Sequence, residues 1–81
     1  MTNIEWHEDF SSSNVNRLGY DPEAQEAYVE FKGKDGNVTS TWAYSRVDRT
    51  EFEAIHTAPS VGSAVNKSLV RGGIYSSRKV S

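Results

Sequence analysis

Cysteine is absent from the 81 residues, which removes disulfides, thiolate nucleophiles and cysteine-bound zinc from consideration. The core must therefore hold by packing alone. Long apolar runs are absent as well: the longest are triplets such as Trp42-Ala43-Tyr44, against the ~20 residues that a membrane-spanning helix needs. No transmembrane segment is expected. The first ten residues carry neither the basic block nor the apolar block of a secretory signal, so a cytoplasmic protein is expected. Strong charge of one sign is missing too, since nine Lys plus Arg stand against eleven Asp plus Glu and the net charge is −2. That balance argues against nucleic-acid binding driven by bulk charge. There is no internal repeat and no low-complexity tract, no nucleophile elbow around any of the serines, and no glycine-rich phosphate loop after a strand.

What is present is an ordinary globular composition, 36% hydrophobic and 25% charged, with two Trp, four Tyr and three Phe to build one small core. The densest information lies in residues 41–52. Trp42, Tyr44 and Arg46 alternate there with Thr41, Ala43 and Ser45, the period-2 pattern of a strand with one heavy and one light face. A helix start follows at once. Asp48 stands three residues before Glu51, flanked by Val47 and Phe52, which is a capping box with a hydrophobic staple.

Along the rest of the chain, Ile4, Trp6 and Phe10 are too apolar for a floating tail, so residues 1–11 are expected to be an extension packed on the body. A first strand covers residues 14–20, bulged because the spacing of Val15 and Leu18 breaks alternation. Asp21-Pro22 turns the chain into a second strand, where Ala27, Val29 and Phe31 alternate with Tyr28, Glu30 and Lys32. The cluster around Asp35-Gly36 makes a hairpin to a third strand over residues 38–47. The first helix runs over residues 49–57, with Phe52 and Ile55 toward the sheet, and Pro59 ends it. Ser60 caps a second helix in which Val61, Ala64, Val65 and Leu69 share one face, and Gly62-Ser63-Ala64 permits close approach to a neighbour. That helix stops near Arg71, Gly72-Gly73 returns Ile74 and Tyr75 to the core, and residues 76–81 form a flexible basic tail. The expected fold is α+β: a three-stranded antiparallel meander followed by two helices packed on one face, β-β-β-α-α.

The order of these landmarks resembles the KTSC domain, a family of small proteins that stand alone in bacteria and phages or sit at the C-terminus of some lysyl-tRNA synthetases. The resemblance spans residues 12–75 as a single domain. It rests on Ser12-Ser13-Asn14-Val15, Leu18-Gly19-Tyr20-Asp21-Pro22, Val29-Glu30-Phe31, Trp42-Ala43-Tyr44 at the family's central Tyr-x-Tyr, Val47, Ala58-Pro59-Ser60-Val61-Gly62, Val65-Asn66, Arg71 and Tyr75. Against the family pattern, one residue is inserted between Asn66 and Arg71. The resemblance implies a small α+β domain with no established role, with RNA binding suggested by the synthetase association.

Candidate contact residues follow from chemistry. Tyr28, opposite Val29 and Phe31 on its strand, is the expected exposed aromatic. Trp42 and Tyr44 read first as core under the helices and alternatively as a platform for stacking bases. Arg46, Lys67 and Arg71, with Arg78 and Lys79, are the cations available to phosphate, although the last four also suit a helix C-terminus and ordinary solvation. Asn66, inside the apolar stripe, is expected to be buried or half-buried in a structural role. His7, Glu8, Asp9 and His56 lack a second ligand at i+3 or i+4, so no metal, catalytic residue or cofactor is expected. The leading expectation is a non-catalytic accessory protein, bacterial or phage, that docks on a protein partner. RNA or single-stranded nucleic acid is the alternative, and oligomeric state is open.

Overall fold

The alternation of Ala27, Val29 and Phe31 becomes the middle of a five-stranded antiparallel sheet in the computed structural model, which describes residues 3–8, 10–70 and 76–80. Its strands lie in chain order: β1 (Glu5–His7), β2 (Val15–Asp21), β3 (Glu26–Lys32), β4 (Val38–Tyr44) and β5 (Ser77–Lys79). The expected meander is therefore only the middle of the sheet. The two flanking strands have three residues each, too few to display a period, and they form because each finds an open edge to pair with. Residues 76–80 are thus not a frayed tail. Ser45 N–H donates to Ser76 C=O at 2.9 Å and Val80 N–H to Thr41 C=O at 2.7 Å, locking β5 to β4. The bulge expected early in β2 lies between Val15 and Arg17.

Register sorts the side chains. Leu18, Val29 and Trp42 form one cross-strand row, and Tyr20, Ala27 and Tyr44 the next. Both rows face the helices. Leu18, Tyr20, Ala27, Val29 and Tyr44 from these rows, with Val15, Val47, Phe52, Ile55, Val61, Val65 and Leu69, form the buried core, against which Phe10, Phe31, Trp42 and Ala64 pack. On the opposite face Trp6, Gly19, Tyr28, Ala43 and Arg78 cross all five strands in one row.

β4 ends three residues earlier than the alternation suggests. Arg46 adopts φ 63°, a left-handed turn that takes the chain off the sheet, and Val47 N–H is caught by Gln25 C=O at 2.9 Å. The helix start is as expected: Asp48 caps α1 (Arg49–His56), its Oδ1 accepting from Glu51 N–H at 2.8 Å. Val47 and Phe52 are both buried, and the Tyr20 hydroxyl donates to Val47 C=O at 2.7 Å, which pins the strand-to-helix corner to β2. Replacing Asp48 by alanine is expected to lower stability by about 0.5–2 kcal/mol through loss of the cap. An unchanged thermal midpoint would refute that role.

Ser60 caps α2 (Val61–Val65), accepting from Ser63 N–H at 3.4 Å. The α-helix then widens into a π-helical turn, Asn66–Val70, where an α-helix had been expected to continue. The stretch in which the family resemblance implies one extra residue, between Asn66 and Arg71, begins at this turn, and an i→i+5 ring holds one more residue than an α-helical one. Val61, Val65 and Leu69 are buried at four-residue steps. Asn66, one residue past Val65 and so about 100° around the axis, is exposed, contrary to expectation. Arg71, Gly72, Gly73, Ile74 and Tyr75 lie outside the described residues, so the returns expected of Ile74 and Tyr75 do too.

Candidate functional site

The five described members of the expected contact set do not form one surface. Tyr28 is buried, because Trp6 on β1 crosses the sheet face that Tyr28 was expected to display; their ring centroids are 6.2 Å apart. Burial, and then the hydrogen bond its hydroxyl donates to Glu26 at 3.1 Å, push the Tyr28 phenol up in pKa. Tyr44 is in the core and Trp42 packs half-buried against it, as the first reading held. Arg46 is exposed on the left-handed turn, and Lys67 is exposed on the helical layer. Arg71 lies outside the described residues. Arg78 reaches the outer face of the sheet, 3.2 Å from Glu26, and so shares no patch with Lys67.

Three arginines are committed to carboxylates. Arg17 Nε lies 2.9 Å from Glu30, whose other oxygen accepts from Asn16 Nδ2 at 2.8 Å. Arg49 clasps Glu5 of β1 at 2.8 and 3.2 Å, and Arg78 holds Glu26. The hydrogen bond from Arg49 holds the Glu5 carboxyl below the usual glutamate value, against a smaller opposing effect of desolvation, and the Arg49 charge adds to the lowering. A depressed carboxylate contributes stability above the unfolded-state pKa and loses it as pH falls through the folded value. Acid titration below about pH 4 is therefore expected to free β1 before the core unfolds. The check is NMR of the two indoles: Trp6 should move first, and simultaneous loss of Trp6 and Trp42 would reject a separate release step.

β1 also brings together two histidines that the spacing of residues 7 and 56 conceals. Their rings are 4.1 Å apart at the end of α1, with Phe52 5.7 Å from His7 and Phe10 6.3 Å from His56. His7 Nε2 is buried without a hydrogen-bond partner, while His56 Nδ1 lies 3.9 Å from Glu53. Among the described residues, no group of three or more His, Cys, Asp or Glu side chains could hold a metal ion.

A cleft of about 580 Å³ opens where the lead-in to β2 meets the start of α2. Ser11, Ser12, Ser13, Asn14, Ser60, Gly62, Ser63 and Asn66 line it, all neutral hydrogen-bonding groups or bare backbone. Its walls fit closely. Ser12 Oγ accepts from Asn14 and Val15 N–H and donates to Asn14 Oδ1 at 3.0 Å, and a Cβ on Gly62 would stand 2.5 Å from that same oxygen. This site was missed from sequence. The signal was present in the small residues at 62–64, but the partner surface at 11–14 is about fifty residues away and only the fold joins them.

A family model for the KTSC domain matches residues 11–71. The chain belongs to the KTSC domain family. The cleft lies wholly inside the matched region, and Ser12, Ser13, Asn14, Ser60, Gly62 and Asn66, each part of the resemblance noted in the sequence, meet around it. β1 lies outside the matched region. The crystal structure of the KTSC domain protein YPO2434 from Yersinia pestis matches this KTSC protein with a TM-score of 0.75 at 24% identity, covering 98% of this chain and 100% of that one. That likeness establishes the shared α+β fold. No curated protein matches the chain. Among the described residues no helix is long and apolar enough to cross a membrane.

Proposed function

We propose that this KTSC domain is a non-catalytic binding module that docks on a protein partner through the cleft between residues 11–14 and 60–66. The observation that carries the reading is chemical: the open cleft offers hydroxyls and amides but no cation, while Arg17, Arg49 and Arg78 are held by glutamates. Neutral donors and acceptors suit a peptide main chain, whose own groups are neutral and need partners when dehydrated. A nucleic-acid backbone would call for cations along the groove and for displayed rings to stack on. Tyr28 and Tyr44 are inside, so Trp42 is the one half-exposed ring of that alternative set.

Ser63 is exposed at the cleft, and its backbone rather than its side chain serves the Ser60 cap. Ser63→Arg therefore fills the cleft with a bulky cation without removing a known contact. In a pull-down from host lysate treated with nuclease, a cleft-bound protein partner should persist with the wild type and lose at least about tenfold in affinity with Ser63→Arg, equivalent to 1.4 kcal/mol. Recovery of RNA that binds the arginine variant more tightly, with affinity falling steeply in salt, would replace this reading by the nucleic-acid one.

A further inference from the structure

β1 is short, yet each of its three side chains is engaged as a ligand would be. Glu5 takes two hydrogen bonds from Arg49. Trp6 lies on the bare backbone of Gly19, where a Cβ would stand 2.8 Å from the indole, and the Arg17 guanidinium covers the ring at 3.9 Å from its centroid. His7 rests on Phe52. The notch at Gly19 thus takes a planar ring with a cation above it, alongside the Ile4 methyl that also touches Gly19, and Arg49, although 3.5 Å from Glu53 as well, makes its shorter 2.8 Å contact with an acid one residue before that ring. Beneath the strap, the β2 main chain supplies the pairing groups that any antiparallel strand in this register would use.

We propose that the β2 edge is a docking groove for an extended acidic–aromatic segment of a partner protein, and that residues 5–7 of the chain itself occupy it until such a segment displaces them. The occupant is read from the groove: a carboxylate for Arg49, then an aromatic ring for the Gly19 notch. Strand addition supplies main-chain hydrogen bonds, and the two side-chain positions supply the choice of partner. A strap of three residues makes few ladder bonds, so a longer strand that extends the pairing outcompetes it. The groove lies outside the 11–14/60–66 cleft, and either surface can fail without the other.

The test uses the full chain and a labelled peptide copying residues 3–8, Asn-Ile-Glu-Trp-His-Glu. Against the wild type, the tethered strap competes at an effective concentration in the millimolar range, so Trp6→Ala and Glu5→Arg, which loosen the strap, should each bind the peptide at least about tenfold more tightly. Adding Gly19→Ala to either variant should abolish binding, and replacing the peptide's Glu5 by glutamine should weaken it. Near-ultraviolet circular dichroism reports whether each variant keeps its core; if Trp6→Ala does not, Glu5→Arg decides. The proposal is overturned if neither strap variant gains affinity, if Gly19→Ala leaves binding intact, or if single-stranded RNA displaces the peptide. A wild-type dimer abolished by Gly19→Ala would assign the groove to a second copy and overturn it as well.

Discussion

Replacing Phe52 by alanine is expected to lower stability by about 3–5 kcal/mol, a large fraction of the roughly 5–15 kcal/mol that holds a small domain. Phe52 is 1% exposed, and its ring stacks on Tyr20 with centroids 4.8 Å apart and planes at 27°. It also meets His56 along α1 and His7 from β1. The side chain therefore joins the sheet, the first helix and the amino-terminal strap, and truncation leaves a void that all three must collapse to fill. Phe52→Leu keeps most of the volume and is expected to cost less than about 1.5 kcal/mol. Denaturant unfolding of the two variants separates lost packing from lost hydrophobicity. A loss below about 1 kcal/mol for the alanine variant would mean that α1 does not dock on this face.

Local chemistry was legible in the sequence wherever the cause and its effect lie within a few residues. Asp48 and Ser60 cap the helices they precede, the bulge after Val15 sits where alternation fails, and the Asp21 carboxylate organises its turn by accepting from Glu23 and Ala24 N–H. Errors arose where the environment of a residue is made by a distant segment. Tyr28 looked exposed because its strand has two faces and the sequence does not say that Trp6 crosses the second one. Ser77–Lys79 looked like a tail because three polar residues carry no period, although β4 had an edge to offer. Asn66 follows Val65 directly but lies off the stripe of Val61, Val65 and Leu69, and its other neighbour, Lys67, is exposed. For the candidate site the same rule is harsher. Neither the cleft nor the Trp6 notch has a local signature, since each joins segments that meet only after the sheet and helices have formed, and Gly19 and Gly62 matter for the side chains that approach them from elsewhere.

Raising the pH past the ordinary tyrosine range is expected to unfold the domain cooperatively. Burial pushes the phenols of Tyr20, Tyr28 and Tyr44 up, with the hydrogen bond to Glu26 adding to the effect at Tyr28. The sign follows from linkage: an acid whose folded-state pKa exceeds its unfolded value of about 10 binds its proton more tightly when folded, so its stabilising effect is complete below that pH and disappears as pH rises through the folded value. The chain should therefore ionise its three raised tyrosines together with loss of structure, not before it. Tyr44 isolates the effect, because its shift comes from burial alone. Tyr44→Phe removes one titrating group and is expected to change neutral-pH stability by less than about 1 kcal/mol while moving the alkaline midpoint upward. Tyr20→Phe differs, since it also strands the carbonyl of Val47 and should cost about 1–3 kcal/mol at neutral pH. Tyrosinate absorbance and far-ultraviolet circular dichroism recorded on one titration decide the matter: coincident transitions are expected, and full ionisation with the fold intact would show that these phenols are less enclosed than the core around Tyr20 and Tyr44 and the Trp6 cover over Tyr28 require.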